Sequence, residues 1–182
     1  MHLTIHTPDT APAGSKADLE ELAAELGFVP NLAGVSAGSP VLLAAFTALR
    51  RAVGRGDLDP ALREIAGLAV GVAVDNHYGV AFHSTVLAGM GVDDTSIDQM
   101  RSGEEPAEPR RAAVYRFARE AATTRGAVAD ETVAAAHAAG LSTGDLLEVL
   151  AECAFAMLVG LIDTLAGRVE LDGFLRPRAW TG

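Results

Sequence analysis

The residues most able to do chemistry are concentrated in positions 75–84, DNHYGVAFHS, which hold a carboxylate, an amide, a phenol and two imidazoles. A second acid, Glu64, lies in the apolar segment just before this stretch, nineteen positions ahead of His83. A carboxylate beside an imidazole forms a general acid–base pair, because each group shifts the pKa of the other. The sequence therefore predicts a proton-transfer site made of Glu64 and His83.

Two consecutive helices would have to position this pair. Asp59 followed by Pro60 is a strong helix start, an N-cap with proline in the first turn, and the apolar segment behind it contains Glu64. Asn76, or the residue before it, can cap the next helix, which carries His83. If the two helices form a hairpin, the side chains of Glu64 and His83 can approach each other.

Helix signals continue along the rest of the chain, and no alternating strand pattern interrupts them. Leucines recur at helical spacing after Ser15, which we expect to cap a first helix that ends at Gly27. Pro109 opens a further helix. Ser142 with Asp145 resembles a capping box at the start of a long apolar helix.

The composition agrees with a single helical domain. The 182 residues are enough for one substantial core but few for two, and aromatic residues make up only 5% of the chain. Scarce aromatic residues favour closely packed helices over a sandwich or barrel. We therefore predict a single-domain, all-α bundle of about eight helices over residues 15–182, preceded by an extended segment, residues 1–14.

Charge and hydropathy exclude several classes of partner. A formal net charge of −10 argues against nucleic acid and against anionic membranes, since both bind cationic surfaces. The long uncharged segment 28–49 is interrupted by Pro30 and Pro40, so it is too broken to span a membrane. The first residues lack the basic and apolar regions of a secretory signal. We expect a cytoplasmic protein that binds neither nucleic acid nor membranes.

The sequence offers little support for a metal or a cofactor. Cys153 is the only cysteine, which excludes an intramolecular disulfide and a cysteine-based zinc site, and its apolar neighbours indicate a buried structural thiol. His77 and His83 are six positions apart and do not share a helix face, so they are poorly placed to bind zinc together. No phosphate-binding loop is present. We predict no metal and no cofactor.

The last long helix carries four acidic residues near one stripe. We interpret this stripe as a face exposed to solvent or to another subunit, with a metal site as the alternative. The four residues are Asp145, Glu148, Glu152 and Asp163.

The segment LREIAGLAVGVAVDNHYGVAFHSTVLAGMG resembles the signature of the alkyl hydroperoxidase D-like, or carboxymuconolactone decarboxylase, superfamily. That signature is a glutamate, eleven residues, then Cys-x-x-Cys-x-x-x-His, on all-helical chains. Glu64 stands at the glutamate position and His83 at the histidine position, while Asn76 and Gly79 occupy the two cysteine positions. Tyr78 also suits the superfamily, which often has tyrosine or histidine there.

The resemblance spans about residues 25–180, and over this range the chain is similar to the longer, peroxidase-related members. It implies the alkyl hydroperoxidase D-like fold. In the thiol peroxidases of this superfamily, the glutamate and histidine relay protons while one cysteine attacks the peroxide and the other resolves the product. Asn76 cannot become a nucleophile and Gly79 has no side chain, so the relay would remain without a redox centre.

Three functions remain open at this point. The first is a cofactor-independent acid–base enzyme, similar to the decarboxylase branch, that acts on a small organic acid. In that enzyme Glu64 and His83 would be catalytic, Asn76, Tyr78 and Gly79 would contact the substrate, and Arg63 or another arginine would hold its carboxylate. The second is a protein that binds a small molecule without turnover, and the third is an oxidoreductase of the peroxidase type.

The apolar helices also predict self-association. The segments IAGLAVGVAV and CAFAMLVGLI are apolar nearly all round, which is more than one small bundle readily covers. Relatives in the superfamily assemble. We expect a homo-oligomer, either a trimer or a hexamer.

Overall fold

Helices are the regular secondary structure of the computed structural model, which describes residues 1 and 3–182. These residues form nine α-helices and a short 3-10 turn, with no strand among them, so the predicted all-α fold is confirmed. The helices are α1 (Ala13–Leu26), α2 (Asn31–Ser36), α3 (Pro40–Val53), α4 (Pro60–Ala73), α5 (His77–Gly89), α6 (Asp94–Arg101), α7 (Pro109–Thr124), α8 (Asp130–Ala138) and α9 (Thr143–Leu165), followed by the 3-10 turn Arg176–Arg178.

Several helices begin at the caps that the sequence encodes. Asp59 Oδ1 accepts a hydrogen bond from the backbone N–H of Ala61 at 2.9 Å, at the start of α4. Asn76 Oδ1 accepts one from the backbone N–H of Gly79 at 2.9 Å, which fixes the start of α5. Such side-chain caps satisfy backbone donors that have no partner inside the helix. The start of the helix that carries His83 is therefore set locally.

The first helix departs from the prediction. It begins at Ala13 with Pro12 in the N-cap position, rather than at Ser15. The Ser15 side chain is fully buried, and its hydroxyl donates to the carbonyl oxygen of Ala37 at 2.8 Å. Ser15 therefore ties α1 to the turn after α2 and does not cap its own helix.

The central helix is α4, which packs against α5, α7 and α9. Its residues are apolar nearly all round, and most are buried. One core cluster lies between α4 and the helices α6 to α9, and a second joins α1, α2 and α3 to the later half of α9. Helices α5 and α9 contribute residues to both clusters, and the candidate site lies between them.

The longest helix, α9, differs from the sequence interpretation of its acidic stripe. Glu152 and Asp163 are 3% and 0% exposed, whereas Leu147 and Leu161 are 61% and 65% exposed. Asp163 can be buried because Arg168 Nη1 lies 3.2 Å from its Oδ2. The solvent-facing interpretation is wrong for Glu152 and Asp163. Among the described residues no helix, α9 included, is both long and apolar enough to cross a membrane.

Candidate functional site

The predicted pair of Glu64 and His83 is in contact. The two residues face each other across the α4–α5 hairpin, with Glu64 Oε2 2.9 Å from His83 Nδ1. Both side chains are buried. An ionised carboxylate can only accept a hydrogen bond, so Nδ1 donates to Glu64. Nε2 is then the ring nitrogen that can exchange a proton with a bound molecule.

A glycine on α4 makes room for the imidazole. A Cβ atom at Gly67 would lie 2.2 Å from Cε1 and 2.3 Å from Nε2 of His83. Carbon atoms in ordinary contact are about 3.5–4.0 Å apart. Any larger residue at position 67 would therefore push the ring away from Glu64.

The charges around the pair favour its ionised form. Burial raises the pKa of Glu64, but the hydrogen bond from His83 and the charge of Arg63 outweigh it and lower that pKa below its ordinary value. Arg63 Nη2 lies 3.3 Å from Glu64 Oε1. Burial lowers the pKa of His83, yet the hydrogen bond to Glu64 and the negative charge nearby raise it overall. The arrangement therefore favours the protonated form of His83.

Glu152 of α9 is a third ionisable group of the site, and the sequence analysis missed this role. Burial raises the pKa of Glu152 to about 7. The charge of His83 opposes this rise, and the charge of Glu64 adds to it. A carboxyl group that titrates near neutral pH is suited to proton transfer. One signal was available: Glu152 stands before a long apolar run, CAFAMLVGLI, as Glu64 stands before IAGLAVGVAV.

A cavity of about 380 Å³ brings these groups together. Its size and mostly apolar walls are typical of sites for small molecules. The polar side chains in its wall are Arg50, Arg63, Glu64, Tyr78, His83 and Glu152, with Gly79 beside them. The aromatic and larger aliphatic side chains are Leu26, Phe28, Leu32, Phe46, Val53, Phe82, Phe155, Val159 and Phe174.

Tyr78 lines the cavity but is held as a hydrogen-bond donor. Its hydroxyl donates to Asp172 Oδ2 at 2.5 Å, and the same carboxylate accepts from the backbone N–H of Asn31. Burial and the bond to Asp172 raise the pKa of Tyr78, so the phenol stays protonated. Next to this link, the rings of Phe28 and Phe174 meet edge to face with centroids 5.5 Å apart. Tyr78 therefore helps to fasten the cavity wall.

The two cysteine positions of the superfamily signature are coupled by packing. Asn76 is buried and is not among the cavity-lining residues, whereas Gly79 is. A Cβ atom at Gly79 would lie 2.3 Å from Asn76 Nδ2. That Nδ2 atom is buried and has no hydrogen-bond partner among the described residues. The amide at position 76 thus fills the space that a side chain at position 79 would need.

The single cysteine lies elsewhere. Cys153 is buried between α9 and α7, with Sγ 3.9 Å from the carbonyl oxygen of Ala118, and it does not line the cavity. Burial raises the pKa of the Cys153 thiol to about 12. Over residues 1 and 3–182, no group of three or more His, Cys, Asp or Glu side chains is arranged to hold a metal ion.

Comparison with known proteins gave one family and several structures. Residues 40–124, which contain the Glu64–His83 pair, match the profile of the Carboxymuconolactone decarboxylase family. A comparison with curated protein sequences gave no significant match.

The similar structures cover nearly the whole chain. An uncharacterized peroxidase-related protein from Ralstonia eutropha JMP134, described as an alkylhydroperoxidase AhpD core, is 22% identical, with a TM-score of 0.80 over 96% of this chain and 94% of its own. A peroxidase-related protein from Silicibacter sp. TM1040 is 17% identical, with a TM-score of 0.77 over 95% and 91%. The debrominase Bmp8 in complex with 2,3,4-tribromopyrrole is 15% identical, with a TM-score of 0.73 over 91% and 89%.

At these identities the structures establish the fold alone, and the family match is limited to residues 40–124, just under half of the chain. The family match over residues 40–124 agrees with the predicted resemblance to the alkyl hydroperoxidase D-like and carboxymuconolactone decarboxylase superfamily. In this chain both cysteine positions of the signature are replaced.

Proposed function

We propose that the protein is a cofactor-independent acid–base enzyme that acts on a small, largely apolar organic acid. The observation that carries this proposal is the hydrogen-bonded Glu64–His83 pair in the wall of a mostly apolar cavity of about 380 Å³. His83 donates or accepts the proton, and Glu64 orients the ring and stabilises its charged form. Such proton transfers serve decarboxylation, in which the substrate itself holds the electron pair of the broken C–C bond until a proton is added, and lactone hydrolysis, in which water is the nucleophile.

The class of substrate follows from the cavity wall. Aromatic and aliphatic side chains form most of it, so the body of the ligand is apolar. Arg50 supplies a positive charge: Nη2 pairs with Glu25 Oε2 at 2.5 Å, while Nε is buried without a hydrogen-bond partner in the described part of the chain. An anionic group of the ligand would provide the acceptor that this buried donor lacks.

Glu152 extends the same mechanism. Its carboxyl lies in the cavity wall beside the ionised pair and, with a pKa of about 7, exists in both protonation states near neutral pH. Both carboxyl groups are buried, yet the pKa of Glu64 is lowered and that of Glu152 is raised. Acid–base enzymes use such a difference in pKa to keep one group ionised and the other protonated. In a decarboxylation the carboxylate leaves as CO2, the electron pair of the broken C–C bond remains on the substrate and takes up the proton of Glu152, and water then restores that proton.

The second candidate is a protein that binds the same class of ligand without turnover. The hydrogen bond of Tyr78 to Asp172 and the packed phenylalanines give a formed cavity, which binding alone would also need. The third candidate, a thiol peroxidase, finds no support in the site, because the only thiol is buried outside the cavity.

One experiment separates these candidates. Lactone acids and organic peroxides are screened with the wild type for binding by calorimetry and for turnover by product analysis. For a ligand that is turned over, we expect His83→Gln and Glu64→Gln to reduce kcat by about 10²-fold or more while Kd changes little. His137→Gln is the matched control, since it makes the same replacement at an exposed histidine that does not line the cavity.

Each alternative outcome is distinct. A ligand that binds tightly and is recovered unchanged assigns the protein to the binding class. Turnover of an organic peroxide that is lost on Cys153→Ser contradicts the proposal and supports a thiol peroxidase. Turnover of an acid that survives His83→Gln contradicts the assigned role of the pair.

A further inference from the structure

Phenylalanine is concentrated in the wall of the cavity. The chain has six phenylalanines and five of them line the cavity, whereas Phe117 belongs to the core cluster between α4 and the helices α6 to α9. The far more numerous leucines contribute only Leu26 and Leu32 to the wall. The five cavity-lining phenylalanines are Phe28, Phe46, Phe82, Phe155 and Phe174. The wall therefore differs in composition from the rest of the protein interior.

Packing between the helices does not account for this concentration. Leucine, isoleucine, valine and alanine form most of both core clusters, and no phenylalanine is among the largest fully buried side chains of the described residues. Phe28, Phe82 and Phe174 are 42%, 36% and 47% exposed although they line the cavity. A large apolar side chain left this exposed loses much of the stabilisation that burial provides. These three rings therefore keep free surface where the cavity opens to solvent.

The five rings come from five separate parts of the fold. Phe46 belongs to α3, Phe82 to α5 and Phe155 to α9. Phe28 follows α1, and Phe174 precedes the 3-10 turn. Because each segment contributes one ring, they do not form the apolar stripe of a single amphipathic helix. What they have in common is the cavity that they surround.

The rings meet one another and His83 in geometries that aromatic groups prefer. The centroids of Phe46 and Phe155 are 5.4 Å apart, with the planes tilted by 50°. Phe82 meets the imidazole of His83 edge to face, with centroids 5.3 Å apart. Aromatic pairs favour edge-to-face and offset contacts at about 4.5–7 Å, because the face of a ring is negative and its edge is positive. A flat ring bound in the cavity can make such contacts, whereas a saturated ring cannot.

We propose that the cavity is specific for aromatic acids: the phenylalanines hold the ring of the ligand, and Arg50 holds its carboxylate. This inference rests on the function proposed above, which makes the ligand an organic acid, and narrows it. The cavity volume of about 380 Å³ is near the lower end of the range of about 300–1,000 Å³ for small-molecule sites, which suits one ring or two fused rings. Arg50 lines the same cavity, and its buried Nε has no hydrogen-bond partner among the described residues.

Three probes of nearly equal size test this specificity by calorimetry. trans-Cinnamate has an aromatic ring and a carboxylate, 3-cyclohexylacrylate has the same carboxylate on a saturated ring, and cinnamamide keeps the aromatic ring without the charge. We expect the wild type to bind cinnamate about tenfold or more tightly than 3-cyclohexylacrylate, since each ring contact contributes about twofold to tenfold. A wall that was merely apolar would bind the saturated acid at least as tightly, because burial of apolar area does not distinguish two rings of similar size.

Two substitutions locate the preference in the wall. Phe82→Leu and Phe174→Leu each remove a ring and keep an apolar side chain, and both positions are partly exposed, so the fold should tolerate them. We expect each variant to reduce the ratio of the two dissociation constants by about twofold or more. Phe117→Leu is the matched control, because it makes the same change outside the cavity and should keep the ratio of the wild type. Circular dichroism checks that all the variants keep their helix content.

The outcomes separate this proposal from the proposed function. Equal affinity of the wild type for cinnamate and 3-cyclohexylacrylate overturns the aromatic proposal, and so does a ratio that survives both Phe82→Leu and Phe174→Leu. Weaker binding of cinnamamide in the same experiment would still leave the acid of the proposed function intact. If cinnamamide binds as tightly as cinnamate, the assignment of Arg50 fails together with that acid. Absence of binding of all three probes at millimolar concentration overturns the aromatic proposal, and turnover of other acids then judges the proposed function.

Discussion

Gly67 controls the position of the His83 ring, so Gly67→Ala tests the geometry of the site directly. The added methyl group would lie 2.2–2.3 Å from two ring atoms, at least about 1 Å closer than a normal contact. Either the ring rotates away from Glu64 or α4 and α5 move apart. Both responses break or lengthen the 2.9 Å contact between Glu64 and His83.

The expected cost comes from two effects. Overpacking a buried site costs about 1–3 kcal/mol, and loss of a hydrogen bond to a charged group costs about 1.5–3 kcal/mol. Alanine is a better helix former than glycine, and this difference offsets up to about 1 kcal/mol of the loss in stability. We expect Gly67→Ala to lower the free energy of unfolding by about 1.5–6 kcal/mol.

Urea unfolding measures this change, and NMR titration of the histidines measures the pair. In Gly67→Ala the pKa of His83 should fall, because burial still lowers it while the bond to Glu64 no longer raises it. Gly89→Ala is the control: a Cβ there has no neighbour within 4 Å, so the variant should be neutral or slightly more stable. If Gly67→Ala is as stable as the wild type and His83 titrates unchanged, the described packing is wrong.

Three further predictions concern the acid in α9, the wall of the cavity and the thiol. Burial raises the pKa of Glu152 to about 7, so the folded state holds an extra proton between pH 4.5 and 7 and stability falls across this window as pH rises, by up to about 3 kcal/mol. Glu152→Gln should remove that slope in urea unfolding at several pH values, and an unchanged slope would refute the assignment. Tyr78→Phe should lower the unfolding free energy by about 1.5–3 kcal/mol through loss of the bond to Asp172; no loss in the same assay would contradict that bond's role. The wild type should not reduce peroxides at the expense of a thiol, and a coupled peroxide assay that gave turnover sensitive to Cys153→Ser would overturn this.

The sequence was sufficient for the all-helical fold, for the starts of α4 and α5 and for the contact between Glu64 and His83. Local signals set these features: Asp59 with Pro60 starts α4, Asn76 starts α5, and the spacing then places Glu64 and His83 on facing turns. An N-cap residue lies within a few positions of the backbone groups that it binds, so the signal for a helix start is local. Such features can be predicted without knowing how the helices pack.

The features that were missed depend on contacts between distant segments. Ser15 has the properties of a cap, but a carbonyl group on the turn after α2 binds its hydroxyl. Glu152 falls on a stripe with other acids, and only the packing of α9 against α4 and α5 turns it into the cavity. The partner of Tyr78 is Asp172, which is 94 positions away. Helical periodicity shows which residues share a helix face, but it does not show whether that face is exposed to solvent or buried.

The link between Tyr78, Asp172 and Asn31 also has a consequence for the order in which the molecule is built. Glu64 and His83 are 19 positions apart, so their hairpin can form soon after it is synthesised. Asn31 and Asp172 are 141 positions apart, so the wall that they fasten can close only after α9 has been made. At about 5–20 residues per second, the ribosome needs roughly 5–20 s between these two events. The hairpin that carries Glu64 and His83 can therefore form before the segment that closes the cavity wall has been synthesised.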